Sequence, residues 1–168
     1  GMAQRVLMAI GIAQKPRVLI ADEPTSNLDV TLQAEMLHRL RLLREEAHTS
    51  ILLITHDLGV IAQMAQAVAV MYGGSIVEYA DTITLYKRPL HPYTWGLFQA
   101  LPRMDSPERS LQPLAGTPLT MLDPPDRCPF LERCNKAVNE CRTEPRPAQV
   151  ELEPGHYLAC YNPIVPVG

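Results

Sequence analysis

Two short apolar runs limit this chain most: Val18-Leu19-Ile20-Ala21 and Ile51-Leu52-Leu53-Ile54. Each is too short for a helix and too continuous for a half-buried strand, so each reads as a strand buried on both faces. Between them, Asp29 stands where a helix cap belongs, and Met36, Leu37, Leu40 and Leu43 form one helical stripe. Upstream, Met2 to Gln14 holds good helix formers, and Lys15-Pro16-Arg17 marks a turn. Downstream, Leu58 to Gln66 reads as another helix. Ala67 to Tyr72 and Ser75 to Glu78 flank Gly73-Gly74, a hairpin signal. Alternating strands and helices make the fold class α/β.

The grammar then changes. Prolines are sparse as far as Pro89 and dense from Pro102 onward. We place a boundary here, with residues 1–86 as α/β and residues 87–168 as an irregular Pro/Cys-rich extension. With hydrophobic residues at 46% and charged residues at 20%, the composition is that of a globular protein. A net charge of -3 gives no electrostatic case for nucleic acid. No apolar run approaches a membrane span, and the first residues lack a signal-peptide pattern. A reducing compartment is therefore expected for the four cysteines, which favours a ligand role over disulfides.

The chemistry gathers where the strands end. In an open α/β sheet, ligands bind beyond the carboxyl ends of the strands. The first run leads into Asp22-Glu23 and the second into Thr55-His56-Asp57. A rigidly held acid suits Mg²⁺, which takes oxygen ligands. A second carboxylate beside it suits polarisation of an attacking water, and a histidine opposite suits a terminal phosphate. Acids in such places also commonly do no more than cap the next helix.

Taken in order, these segments resemble ABC ATPases. Val18 to Thr25 resembles the Walker B strand, Ser26-Asn27-Leu28-Asp29 the D-loop, and Ile54-Thr55-His56-Asp57 the switch-histidine segment. Gly1-Met2-Ala3-Gln4-Arg5-Val6 is similar to the tail of the LSGGxxQR signature. The resemblance implies the C-terminal part of a P-loop (RecA-like) ATPase domain, with ATP sandwiched between two subunits. Asp22 would bind Mg²⁺ through water, Glu23 would act as general base, and His56 would meet the γ-phosphate. Asp29 would lie at the dimer seam, with Gly1 and Gln4 near ATP held by the opposite subunit.

The chain contains no Gly-x-x-x-x-Gly-Lys-Ser/Thr sequence. The backbone amides and lysine of such a loop would cradle the phosphates. Weak or absent ATP binding by the chain alone is therefore expected, as are exposed strand edges.

His91-Pro92-Tyr93-Thr94 narrows the resemblance to oligopeptide, dipeptide and nickel importer ATPases, as do Leu114 to Pro118 and Leu122 to Pro125. That implies a homo- or heterodimeric ATPase on the cytoplasmic face of the cell membrane, serving two permeases and, indirectly, an extracytoplasmic peptide-binding protein. The cysteines fall as Cys128-x5-Cys134-x6-Cys141-x18-Cys160, which is similar to importer extensions that carry an iron–sulfur cluster. Four thiolates suit a [4Fe–4S] cluster or, second, Zn²⁺. His156 is a weaker candidate ligand. Trp95 and Phe98 read as packing residues or as a surface for the membrane subunit. Two rival readings are a soluble ABC ATPase not tied to transport and a non-catalytic metal module. The latter leaves the Asp22, Glu23 and His56 set without a purpose.

Overall fold

The computed structural model describes residues 2–13, 15–26, 28–101 and 126–164, apart from the side chains of residues 3–5. The chain forms two compact units, one ending at Ala65 and the other starting at Gln66. The change in sequence grammar at residues 86/87 falls inside the second unit.

The first unit runs α1 (Met2–Ala13), β1 (Val18–Asp22), α2 (Val30–Glu46), β2 (Ser50–Ile54) and α3 (Leu58–Met64). β1 and β2 pair in parallel, from Val18 opposite Ser50 to Asp22 opposite Ile54. A parallel pair needs a long crossover, which α2 supplies. Asp29 caps α2, accepting hydrogen bonds from the Thr31 and Leu32 amides. Arg44 at the other end of α2 donates to the Met64 carbonyl, and the Thr49 hydroxyl donates to the Pro16 carbonyl.

Leu37, Leu40, Val60 and Met64 form the buried cluster of this unit, with Met8, Leu19, Leu43, Ile51 and Leu53 packed against it. All three helices thus contribute to covering one face of the strand pair. The expectation of strands buried on both faces is corrected here. Val18, Ile20, Leu52 and Ile54 alternate with the packed residues and are 60, 64, 54 and 46% exposed. The side-chain period of a strand is two, so helices gathered on one face leave every second residue uncovered.

The second unit contains β3 (Ala67–Tyr72), β4 (Ser75–Asp81), α4 (Thr82–Lys87), α5 (Pro92–Gln99), a 3₁₀ turn (Leu131–Arg133), α6 (Glu140–Thr143), β5 (Val150–Glu153) and β6 (His156–Leu158). Gly73 and Gly74 both take positive φ, as a two-residue hairpin turn requires. The sheet order is β3-β4-β6-β5, antiparallel throughout. The extension is therefore not wholly irregular, because its last strands continue the sheet begun by the Gly73-Gly74 hairpin. Flanked by β3 and β6, β4 buries consecutive residues, Val77 and Glu78, on opposite faces.

Tyr72, Tyr93 and Phe130 pack as a ring cluster with centroids 4.7–5.3 Å apart. Phe98 is buried against Tyr86, which supports the packing reading for that residue, while Trp95 is partly exposed.

Candidate functional site

Because Asp22 pairs with Ile54, β1 and β2 end level. The Glu23 amide extends the ladder by one bond, donating to the Ile54 carbonyl at 2.8 Å. The residues after each strand are thus set side by side. Glu23 then leaves the strand with φ at 45°. A left-handed backbone is uncommon for a residue with a side chain, and such strain clusters at functional sites. Ser26 braces the turn, with its amide and its hydroxyl both donating to the Glu23 carbonyl.

Glu23 Oε1 lies 2.8 Å from His56 Nδ1 and accepts the His56 amide at 3.2 Å. The two residues stand 33 positions apart in sequence, and the coincident strand ends bring them into one contact. The His56 side chain is 85% exposed and that of Glu23 36%, so the pair faces solvent. Asp22 is also exposed. Asp57 plays a different part: its Oδ1 accepts the Gly59 and Val60 amides as the cap of α3, and its Oδ2 accepts from Gln33 of α2. Asp29 is occupied as the α2 cap. Gly1, Asn27, Leu114 to Pro118, Leu122 to Pro125 and the side chain of Gln4 lie outside the described residues.

The second unit holds a separate constellation. Cys128, Cys134, Cys141 and Cys160 are all free thiols, and all four line one cavity together with His91 and Phe130. Burial pushes the thiols of Cys128 and Cys134 up, and that of Cys160 up to about 12. Mutual repulsion adds to this, with Cys141 acting on each of the other three. Backbone amides oppose the shift: those of Phe130 and Leu131 donate to Cys128, that of Lys136 to Cys134, and that of Asn162 to Cys160.

The metal expected at these cysteines, a [4Fe–4S] cluster or, second, Zn²⁺, gains no support from the ligand geometry. Among the described residues, no group of three or more His, Cys, Asp or Glu side chains is arranged to hold one. A zinc site requires four sulfurs about 4 Å from one another, given Zn–S bonds of about 2.3 Å. A four-iron cluster takes the same donor chemistry, four thiols, here on one cavity with backbone amides aimed at three of them. His156 is not among the residues that line this cavity. It is buried, with Nε2 2.8 Å from Glu78 Oε1.

Glu78 is the residue that sequence reasoning missed. It is fully buried on β4, where Oε1 also accepts the Leu90 amide at 2.7 Å and Oε2 accepts the His91 amide at 3.0 Å. His91 was expected to serve only as a family marker, yet it organises the start of α5. Its Nδ1 accepts the Tyr93 amide at 3.0 Å, and Pro92 occupies the first turn, where a missing N–H costs nothing.

Residues 77–141 match the family model described as oligopeptide/dipeptide transporter, C-terminal region. The chain is 46% identical over 157 residues to the dipeptide transport ATP-binding protein DppD of Lactococcus lactis, covering 94% of this chain and 45% of that protein. It is 42% identical over 164 residues to the oligopeptide transport ATP-binding protein OppD of Salmonella typhimurium, covering 98% and 48%. It is 41% identical over 161 residues to DppD of Bacillus subtilis, covering 96% and 48%. The chain spans just under half the length of these curated relatives.

Proposed function

We propose that this chain, which belongs to the family of oligopeptide/dipeptide transport ATP-binding proteins, supplies the water-activating residues of an ATPase that drives peptide import. The observation that carries the reading is the Glu23–His56 contact at the level ends of β1 and β2. Both His56 contacts fall on Oε1 of Glu23, which leaves Oε2 to orient and deprotonate a water. The ring of His56 is anchored on its Nδ1 side, so Nε2 is the edge presented to a terminal phosphate. Asp22, exposed and at the end of a strand, is a hard oxygen donor of the kind Mg²⁺ takes, here through water. Mg²⁺ and ATP, when bound, supply the in-line phosphoryl transfer and the neutralisation of its charge. Asp29 lies near the seam with a second ATPase subunit, and Gly1 and Gln4 serve the nucleotide of that partner.

The assembly we infer pairs two such subunits beneath two membrane permeases, with a peptide-binding protein outside. Among the described residues, no helix is long and apolar enough to cross a membrane. The sequence holds no phosphate-cradling loop of its own, and this chain alone binds ATP weakly or not at all. In the second unit, the four cysteines are the ligand set of a [4Fe–4S] cluster, a structural rather than a hydrolytic element, since phosphoryl transfer has no redox step.

Glu23→Gln in the assembled ATPase that carries this chain tests the hydrolytic reading. ATP binding is expected to persist while turnover falls at least ~100-fold, the scale of lost general-base catalysis. Turnover near that of the unsubstituted enzyme would assign the base elsewhere.

A further inference from the structure

His91 has a ring edge that neither the cap nor the fold uses. Its Nδ1 accepts the Tyr93 amide, so that nitrogen carries no proton. A neutral imidazole then carries its proton on Nε2 and is a donor there. The ring is 1% exposed, and burial favours the neutral form, pulling its pKa from 6.5 to about 4. Among the described residues, Nε2 has no hydrogen-bond partner. A buried donor without an acceptor is rare in a folded protein and calls for a group that completes it. The same residue lines the cavity shared by Cys128, Cys134, Cys141 and Cys160. Three of those sulfurs already receive backbone N–H groups, and none of those amides belongs to His91.

We propose that Nε2–H of His91 donates a hydrogen bond to a sulfur of the iron–sulfur group held by the four cysteines, setting its potential and its retention. This rests on the reading of the thiols as cluster ligands. It gives the His-Pro-Tyr-Thr segment a chemical purpose beyond capping α5: one face of the ring starts the helix and the other stabilises negative charge on sulfur. A hydrogen bond to sulfur favours the reduced, more negative cluster and so raises the potential. Outer partners of this kind also orient and hold metal ligands.

The test uses the full chain, reconstituted anaerobically with ferrous iron and sulfide. In His91→Asn, the shorter amide keeps an oxygen for the Tyr93 amide but falls one atom short of Nε2. We expect unchanged circular dichroism, a potential shifted to more negative values, and iron release to a chelator about tenfold faster. His91→Gln, whose amide regains the reach, should recover part of both effects. Unchanged potential and release in a folded, loaded His91→Asn variant would overturn the proposal. If that variant does not fold, pulsed electron paramagnetic resonance of the reduced unsubstituted chain, labelled with ¹⁵N-histidine, decides: a coupled histidine nitrogen supports the proposal and its absence overturns it. Failure of the unsubstituted chain to take up iron and sulfide together would instead remove the cluster reading, and the proposal with it.

Discussion

Replacing Glu78 with glutamine tests whether the second unit depends on one buried carboxylate. Three donors converge on it: the amides of Leu90 and His91 and Nε2 of His156. A carboxylate accepts on both oxygens, whereas a glutamine has one accepting oxygen and one donating nitrogen. If the carbonyl takes the place of Oε1, Leu90 and His156 keep a partner and the His91 amide faces another N–H. If the amide is flipped, two donors lose their acceptor instead of one. The lower-cost arrangement leaves one buried amide unsatisfied, at about 1–3 kcal/mol, and weakens two bonds that were made to a charged acceptor. A loss of about 3 kcal/mol follows. For a unit of this size that is roughly 10–20 °C in melting temperature. Glu78→Ala, which strands all three donors, should cost about 3–5 kcal/mol. The chain has a single tryptophan, Trp95, on α5, so fluorescence during a urea titration reports the second unit. The two units need not unfold together, so the Trp95 transition is read separately from far-ultraviolet circular dichroism. A Glu78→Gln midpoint within ~0.5 kcal/mol of the unsubstituted chain, with an unchanged slope, would refute the reasoning.

Two further outcomes are expected. His91 is held near 4 in the folded chain against 6.5 when free, so it adds stability above pH 6.5 and that stability is lost as pH falls through about 4. The full difference is worth about 3 kcal/mol, and acid titrations of Trp95 fluorescence on the unloaded chain should lose that limb in His91→Asn. Asp29→Ala removes the acceptor of two amides at the start of α2 and should cost about 1 kcal/mol, read as earlier loss of helix signal in urea. No change would mean that the cap is replaced by water without penalty.

Local chemistry was legible wherever one short segment decides the outcome. The Asp29 cap, the Gly73-Gly74 turn and the helical stripe of Met36, Leu37 and Leu40 depend on neighbours within a few residues, and the structure forms each of them. The strands β1 and β2 were also legible, yet their burial was not. An apolar run states what a face can bury, while the number of faces covered depends on where the helices pack. Glu78 was hidden for a related reason. In Ser75-Ile76-Val77-Glu78 it reads as an ordinary solvent-facing acid at the end of a hairpin strand. Its partners are the amides of Leu90 and His91 and, 78 positions downstream, the ring of His156. The Glu23–His56 pair was legible as two strand-end residues, but not as a direct contact, because that depends on the register of Asp22 with Ile54.

The His-Pro-Tyr-Thr segment shows why a family marker can look chemically idle in a sequence. Each of its first three residues has a measurable task. The His91 amide answers Glu78, its Nδ1 caps α5, and its ring rests 5.9 Å from Phe130. Pro92 fixes the first turn of α5, and Tyr93 packs between Tyr72 and Phe130. Phe130 sits between Cys128 and the Leu131–Arg133 turn, so the loop that carries two of the cysteines is anchored on the same rings. The Glu78 carboxylate fixes the backbone of this segment to the central sheet, and the aromatic cluster fixes the cysteine loop to the segment. A break at Glu78 should therefore loosen the thiol cavity as well as the sheet. Iron retention in Glu78→Gln is then expected to fall along with stability, whereas His91→Asn lowers retention with the fold intact. The two variants separate a support that holds the cavity from a donor that acts on what it contains.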